Sequence, residues 1–165
     1  KSEYEPLIAS EQENEPIDVE LINSEFQRIS AVSDCTILDG DCGLLSPLAP
    51  SVQTVDMVKR LQLPVLFVVT PREDSINDTL LSIYTAQEKG VEIRGVILNN
   101  IKNDCPKTLL TAIPRVIEEY TSIKILGLIS HVEGKLAPED LITSILNGVD
   151  IESIFNVKIE KLDCN

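Results

Sequence analysis

Residues 63–70 read LPVLFVVT, an almost unbroken apolar run. A strand of that kind is covered on both faces, which is the habit of a parallel sheet rather than of a half-wet antiparallel one. The flanking residues supply the crossovers that parallel strands need. Before the run, 54–62 (TVDMVKRLQ) sets Val55, Val58 and Leu61 on one helical side. After it, 75–90 (SINDTLLSIYTAQEKG) reads as a helix that stops at Gly90, a natural C-cap. The pattern repeats downstream: strand at 91–100, helix at 105–120, strand at 122–129, helix at 137–148. Pro114 is expected to kink or split the third of these helices, and Pro138 and Gly148 bound the last. Upstream, 34–40 (DCTILDG) fits a strand. A helix begins near Pro16 and Asp18, with Leu21, Ile22, Phe26 and Ile29 on its apolar face. Residues 1–16 read as an irregular lead-in broken by Pro6 and Pro16, and 150–165 as either a short strand or a tail. The alternation from 34 to 148 predicts one α/β domain over 1–165 with a parallel, doubly wound sheet.

The bulk numbers exclude several classes. The 165 residues are 43% hydrophobic, enough for a core. No apolar stretch approaches the roughly 18 residues that a membrane helix needs. The formal charge of −13 repels phosphate backbones and argues against nucleic acid as a partner. Such acidity by itself signals solubility. The four cysteines, Cys35, Cys42, Cys105 and Cys164, match no zinc or redox spacing, and there is a single histidine. Cys35 is expected to be a small core residue, Cys42 is the one to watch for reactivity, and the compartment reads as reducing. The chain starts at Lys1 and its only methionine is Met57, so it is expected to be a piece of a longer product.

Ligands of open α/β sheets sit at the carboxyl ends of the strands. Those ends are Asp39–Gly43, Thr70–Asn77, Asn99–Asn103 and Ser130–Gly134. Asp39 reads either as a turn-capping carboxylate or as a hard oxygen donor for Mg²⁺. Gly40 and Gly43 beside it let backbone N–H groups approach an anion. Asn99 and Asn100 read either as turn residues or as amides that pair with a nucleobase edge. Ser75 and Asn77 open a helix, where capping and anion binding are compatible. His131 reads as a structural or surface residue more readily than as a catalytic one. A phosphate-binding loop, G-x-x-x-x-G-K-[ST], does not occur: the one Gly-Lys pair, Gly134-Lys135, is followed by Leu136 and preceded five residues earlier by Ile129.

The strings ILDGDCGLLSPL (37–48), LPVLFVV (63–69), SINDTLLSIYTAQEKGVEIRGVILNN (75–100) and ILGLI (125–129) resemble dethiobiotin synthetase in order and spacing. EPLIASEQENEPIDVELI (5–22) resembles the stretch before them, so the likeness runs from about Glu5 to Val132. It implies an α/β fold of the P-loop NTPase type, incomplete here at its N-terminal side, and a homodimer. It implies ATP, Mg²⁺ and CO₂ as requirements for closing a ureido ring on 7,8-diaminononanoate. In that chemistry the diamine becomes a carbamate, ATP phosphorylates it to a mixed anhydride, and the second amine displaces phosphate. Positioning and charge neutralisation carry such a reaction.

Carried over by position, Asp39 stands at the family's glutamate ligand for Mg²⁺, one methylene shorter. Gly40 and Gly43 match glycines of the family's turn, while Asp41 and Cys42 replace its Ala and Gly. Asn99 matches the adenine-reading asparagine. Ser130 stands at a proline beside the base, and Val132 continues that wall. Ser75 and Asn77, with Gly43, fall in the substrate-holding positions, and Asp74 replaces a glycine there. The new carboxylates and the bulkier side chain sit where the family brings anions close. The half that carries the P-loop, its lysine and a second Mg²⁺ aspartate is not in these 165 residues. The resemblance therefore implies an enzyme portion that needs a partner or an upstream segment for turnover. It leaves room for a non-catalytic binding or regulatory module of the same fold. It also leaves room for another ATP-dependent relative, such as a cobyrinate amidotransferase or the N-terminal domain of a phosphate acetyltransferase. The implied location is the cytoplasm, or an organellar matrix if a transit peptide lies upstream.

Overall fold

A computed structural model describes residues 4–40, 43–72, 74–102, 105–132, 134 and 137–158. The chain divides into two compact units, Lys1–Pro64 with Thr85–Glu92, and Val65–Tyr84 with Ile93–Asn165.

The first unit opens with helix α1 (Pro6–Glu13), where an irregular lead-in was expected. Pro6 starts this helix rather than breaking it, because a first-turn N–H has no intrahelical partner to lose. Asn14 ends the helix in the left-handed conformation, and the Glu15 N–H donates to Ser10 O at 3.0 Å. Helix α2 (Val19–Ser30) follows as its sequence predicts. Asp18 caps it, its Oδ1 accepting from the N–H groups of Glu20 at 2.9 Å and Leu21 at 3.0 Å. None of its residues is buried, and Leu21 and Ile29 on the anticipated apolar face are exposed.

Residues 34–40 are not a strand in the structure. An apolar run becomes a strand only when a neighbour takes up its backbone groups, and no described strand pairs with these residues. Ile37 is 77% exposed, and Cys35 is exposed rather than part of a core. The next stretch holds a hairpin that the sequence reading missed: β1 (Pro47–Ala49) pairs antiparallel with β2 (Val52–Gln53), with Ser51 in the left-handed region at the turn. Helix α3 (Thr54–Arg60) continues from β2 and buries Val55 and Met57. The Gln53 N–H donates to Asp56 Oδ2 at 2.8 Å, which satisfies one donor at that helix start.

The second unit is a parallel sheet with strand order β3 (Val65–Val69), β4 (Ile93–Ile101), β5 (Ile125–Ser130) among the described residues. Helix α4 (Ser75–Glu88, its last turn grouped with the first unit) joins β3 to β4, and α5 (Lys107–Thr121) joins β4 to β5. Sequential order with right-handed crossovers places α4 and α5 on the same face. The core agrees: Ile83 of α4 and Ile113 and Ile117 of α5 are fully buried with Val96 and Leu98 of β4. Phe67, Val69 and Ile125 pack against that cluster. The opposite face is thinner. Val68 of β3 is 60% exposed and Leu128 of β5 is 50% exposed, which corrects the expectation that residues 63–70 are covered on both sides.

Pro114 does not split α5, which runs continuously through it. Ile113 and Ile117, buried one turn apart, pin the helix at the point where one backbone hydrogen bond is lost. Helix α6 (Pro138–Gly148) leads into Val149, which bridges Gly127 antiparallel, and the Asp150 N–H donates to Leu126 O at 2.7 Å. This contact covers the edge of β5. It depends on two glycines: a Cβ on Gly127 would lie 2.8 Å from Gly148 O, and one on Gly148 would lie 2.7 Å from Leu128 O. Part of the uncertain tail is therefore helix α7 (Ile151–Phe155), capped by Asp150. The Ser153 hydroxyl and then its backbone N–H hold the Asp150 carboxyl below the usual aspartate range.

A Cβ added at Gly95 of β4 would sit 2.5 Å from two side-chain atoms of Leu126, whereas one at Gly40 meets nothing within 4 Å. Gly95→Ala is expected to lower unfolding free energy by about 1–3 kcal/mol, and Gly40→Ala to stay within roughly 0.5 kcal/mol. Urea titration of both variants checks the contrast.

Candidate functional site

Parallel strands place their carboxyl ends at one end of the sheet, and there the second unit collects most of the anticipated residues. Asn99 and Asn100 lie in the last turn of the β4 ladder, and Ser130 at the end of β5 is in register with Ile101. The His131 N–H donates to Ile101 O at 2.8 Å, so the β5 backbone is still tied to β4 one residue beyond the strand.

Asn100 adopts a left-handed backbone, φ 61°, which asparagine tolerates better than most residues. Its N–H donates to Asn99 Oδ1 at 2.8 Å. Its own Oδ1 lies 2.6 Å from His131 Nδ1. A carboxamide oxygen only accepts, so this contact is a hydrogen bond in the tautomer that carries its proton on His131 Nδ1. The result is a linked row, Asn99, Asn100 and His131, with Ser130 beside it and Val132 38% exposed just beyond. The sequence reading set His131 aside as a structural or surface residue. It is exposed, and it is also fixed by Asn100 across 31 positions of sequence. The only local signal was the pair of asparagines at a strand end.

Ser75 and Asn77 begin α4 after β3. Ser75 is buried, 4% exposed, and its hydroxyl donates to Arg72 O at 2.8 Å and accepts from the Arg72 N–H at 3.1 Å. That side chain closes its own turn. Asn77 is exposed, with Nδ2 3.3 Å from Asp78 Oδ1. Asp74, anticipated to place negative charge here, lies 3.3 Å from Arg72 Nε in an exposed ion pair. Exposed pairs of this kind hold each other weakly.

Asp39, Gly40 and Gly43 belong to the first unit. Asp39 is exposed in a segment without regular structure, not at a strand end as expected. Gly43 heads a turn in which its carbonyl accepts from the Ser46 N–H at 3.0 Å. Asp41 and Cys42 lie outside the described residues, as do Asn103 and Cys164. Among the described residues no group of three or more His, Cys, Asp or Glu side chains is placed to hold a metal ion. Mg²⁺ wants near-octahedral oxygen coordination, to which Asp39 could supply one carboxylate. Among the described residues, too, no helix is long and apolar enough to cross a membrane.

The family described as an AAA domain matches residues 1–139. The chain belongs to that family. Its α/β architecture with a parallel sheet is thus of the P-loop NTPase type, as the sequence led one to expect. The AAA domain here is 30% identical over 126 residues to the ATP-dependent dethiobiotin synthetase BioD of Akkermansia muciniphila, covering 76% of this chain and 59% of that protein. It is 28% identical over 156 residues to the protein of the same name from Bacillus subtilis strain 168, covering 94% of this chain and 67% of the relative. The match to the one from Bacillus cereus strain G9842 is 27% over 149 residues, 90% of this chain and 61% of the relative. The chain thus spans about three fifths to two thirds of the length of these relatives.

Ser75→Ala is expected to destabilise the AAA domain by about 1 kcal/mol through loss of the turn at the start of α4. Thermal or urea unfolding measures it, and an unchanged midpoint would show that the hydroxyl does not hold that turn.

Proposed function

We propose that this chain is the C-terminal portion of a dethiobiotin-synthetase-like, ATP-dependent enzyme acting on 7,8-diaminononanoate in biotin biosynthesis. The carrying observation is the polar row at the carboxyl ends of β4 and β5, in a chain whose relatives are named ATP-dependent dethiobiotin synthetases. In this reading 1–165 works as one domain. Asn99 orients the base, with Ser130 and Val132 as its wall. Gly43, Ser75 and Asn77 line the substrate side, Ser75 through backbone rather than hydroxyl. Asp39 supplies one carboxylate oxygen toward Mg²⁺, and the remaining ligands come from phosphate and from outside this chain. ATP supplies the phosphoryl group that activates the carbamate oxygen. A P-loop segment, upstream in the parent product or on a partner, supplies the positive donors that a triphosphate needs, so the chain alone is inactive. The assembly is a homodimer or a complex with that segment, in the cytoplasm or an organellar matrix.

A second reading has its own support. The Ser75 hydroxyl is taken up by its own turn, and Asp39 stands exposed in a segment without regular structure. Those features fit a non-catalytic binding or regulatory module that kept the fold.

Phosphate release separates the two. With ATP, Mg²⁺, bicarbonate and the diamine, the chain alone is expected to release none. Adding the P-loop-bearing N-terminal third of a dethiobiotin synthetase is expected to restore release. Silence in the second mixture favours the module, and turnover in the first would refute the need for a partner.

The half-covered face at Val68 and Leu128, and the exposed Leu141, Ile142 and Leu146 of α6, give the chain a reason to associate. Light scattering is expected to show species heavier than 18.2 kDa. A lone 18.2 kDa particle that binds no hydrophobic dye would oppose this.

A further inference from the structure

We propose that Asn147-Gly148 is a site of spontaneous covalent modification, and that the isoaspartyl product formed there releases the contact that covers the edge of β5. It is the one Asn-Gly pair in the chain. Glycine after asparagine removes the Cβ that would otherwise shield the main-chain nitrogen from the asparagine side chain. The structure explains why position 148 is glycine: a Cβ there would lie 2.7 Å from Leu128 O. The packing that closes the end of α6 against β5 thus demands the very residue that exposes Asn147 to attack. Asn147 is itself exposed, so water reaches it. Its place in α6 restrains the reaction. Gly148 is the last residue of that helix, and the Val149 N–H still donates to Ile145 O at 2.9 Å. Ring closure needs the Asn147 backbone to leave the helical ψ range, so the last turn must open first.

The step balances with water as the only co-reactant, and nothing is oxidised or reduced. The Gly148 nitrogen gives up its proton and bonds to Asn147 Cγ, while Nδ2 takes a proton and leaves as ammonia. Water then opens the cyclic imide. Breaking the bond to Cγ gives aspartate. Breaking the bond to the main-chain carbonyl carbon gives isoaspartate, whose main chain runs through Cβ and Cγ and is longer by a carbon atom. The longer chain does not fit the contact. A Cβ on Gly127 would lie 2.8 Å from Gly148 O, so the two backbones have no slack between them. Displacing Gly148 pulls on Val149, which bridges Gly127, and on the Asp150 N–H, which donates to Leu126 O at 2.7 Å. The freed carboxylate also stands at the C-terminal end of α6, the negative end of its dipole. Loss of these contacts leaves that stretch of the β5 edge open to pairing with another strand.

The test ages the whole chain at mildly alkaline pH, where the Gly148 nitrogen loses its proton more readily. Peptide mapping by mass spectrometry follows the change from amide to acid at residue 147, and chromatography separates the aspartyl from the isoaspartyl peptide. The folded chain is expected to convert roughly tenfold more slowly than the chain in urea, because opening of the last turn of α6 precedes attack. Asn147→Gln, which would have to close a larger ring, is expected to stay unconverted over the same period. Amide exchange then reads the contact. Protection of the Asp150 N–H is expected to fall in proportion to isoaspartate content, and to be kept in freshly made Asn147→Asp, which carries the charge without the longer chain. An Asp150 N–H that stays protected as isoaspartate accumulates would overturn the release. Equal loss of protection in Asn147→Asp would assign the effect to charge and overturn it as well. A folded chain that forms no isoaspartate while the urea sample converts would overturn the site, and equal rates in the two samples would overturn the restraint by α6.

Discussion

The pairing of β4 with both neighbours is the constraint on which the second unit depends. Strand β4 is the one described strand with partners on either side, and its residues Gly95–Leu98 are all buried. Val96 and Leu98 form the floor on which α4 and α5 lay Ile83, Ile113 and Ile117. Gly95 lets Leu126 of β5 come close on the other face. Because parallel strands must be joined by crossovers, fixing β4 also fixes where the two helices return and where the three strands end. The polar residues Asn99, Asn100 and Ser130 at those ends then share a small region.

The apolar ladder stops at Leu98, and the next two residues, Asn99 and Asn100, are only half-buried. Asn100 takes an unusual backbone conformation there, held by hydrogen bonds to both sides. A strained residue persists where its neighbours over-determine it, and such positions gather at ligand sites. The opposite sheet face tells a complementary story. Both crossover helices pack on one side, and the segment Gly148–Asp150 bonds to the edge of β5. Val68 and Leu128 remain in water as a result.

The first unit shows how weak a local apolar signal is without a partner. The run Ile37-Leu38 looked like the end of a buried strand, yet both residues are exposed and Asp39 follows them into an irregular segment. Proline gave two further misreadings in opposite chemical settings. Pro6 opens α1 at a position where its missing donor is harmless, and Pro114 sits inside α5 where tertiary packing of Ile113 and Ile117 outweighs its cost. By contrast, Asp18 as a cap and Gly90 as a stop were legible, since each acts on backbone groups within a few residues of itself.

By itself the sequence determined the periodic elements from residue 54 to residue 148, the parallel character of the sheet, the acidity that disfavours nucleic acid, and the strand ends at which polar residues gather. Those follow from spacing and composition, which act over a single turn or strand. Only the tertiary structure decided that residues 34–40 stay unpaired, that Val68 faces water, that the Ser75 hydroxyl closes its own turn, and that Asn100 grips His131. Each of those depends on which backbone comes to lie beside which, and a contact between residues 31 positions apart exists only once β4 and β5 have settled into register.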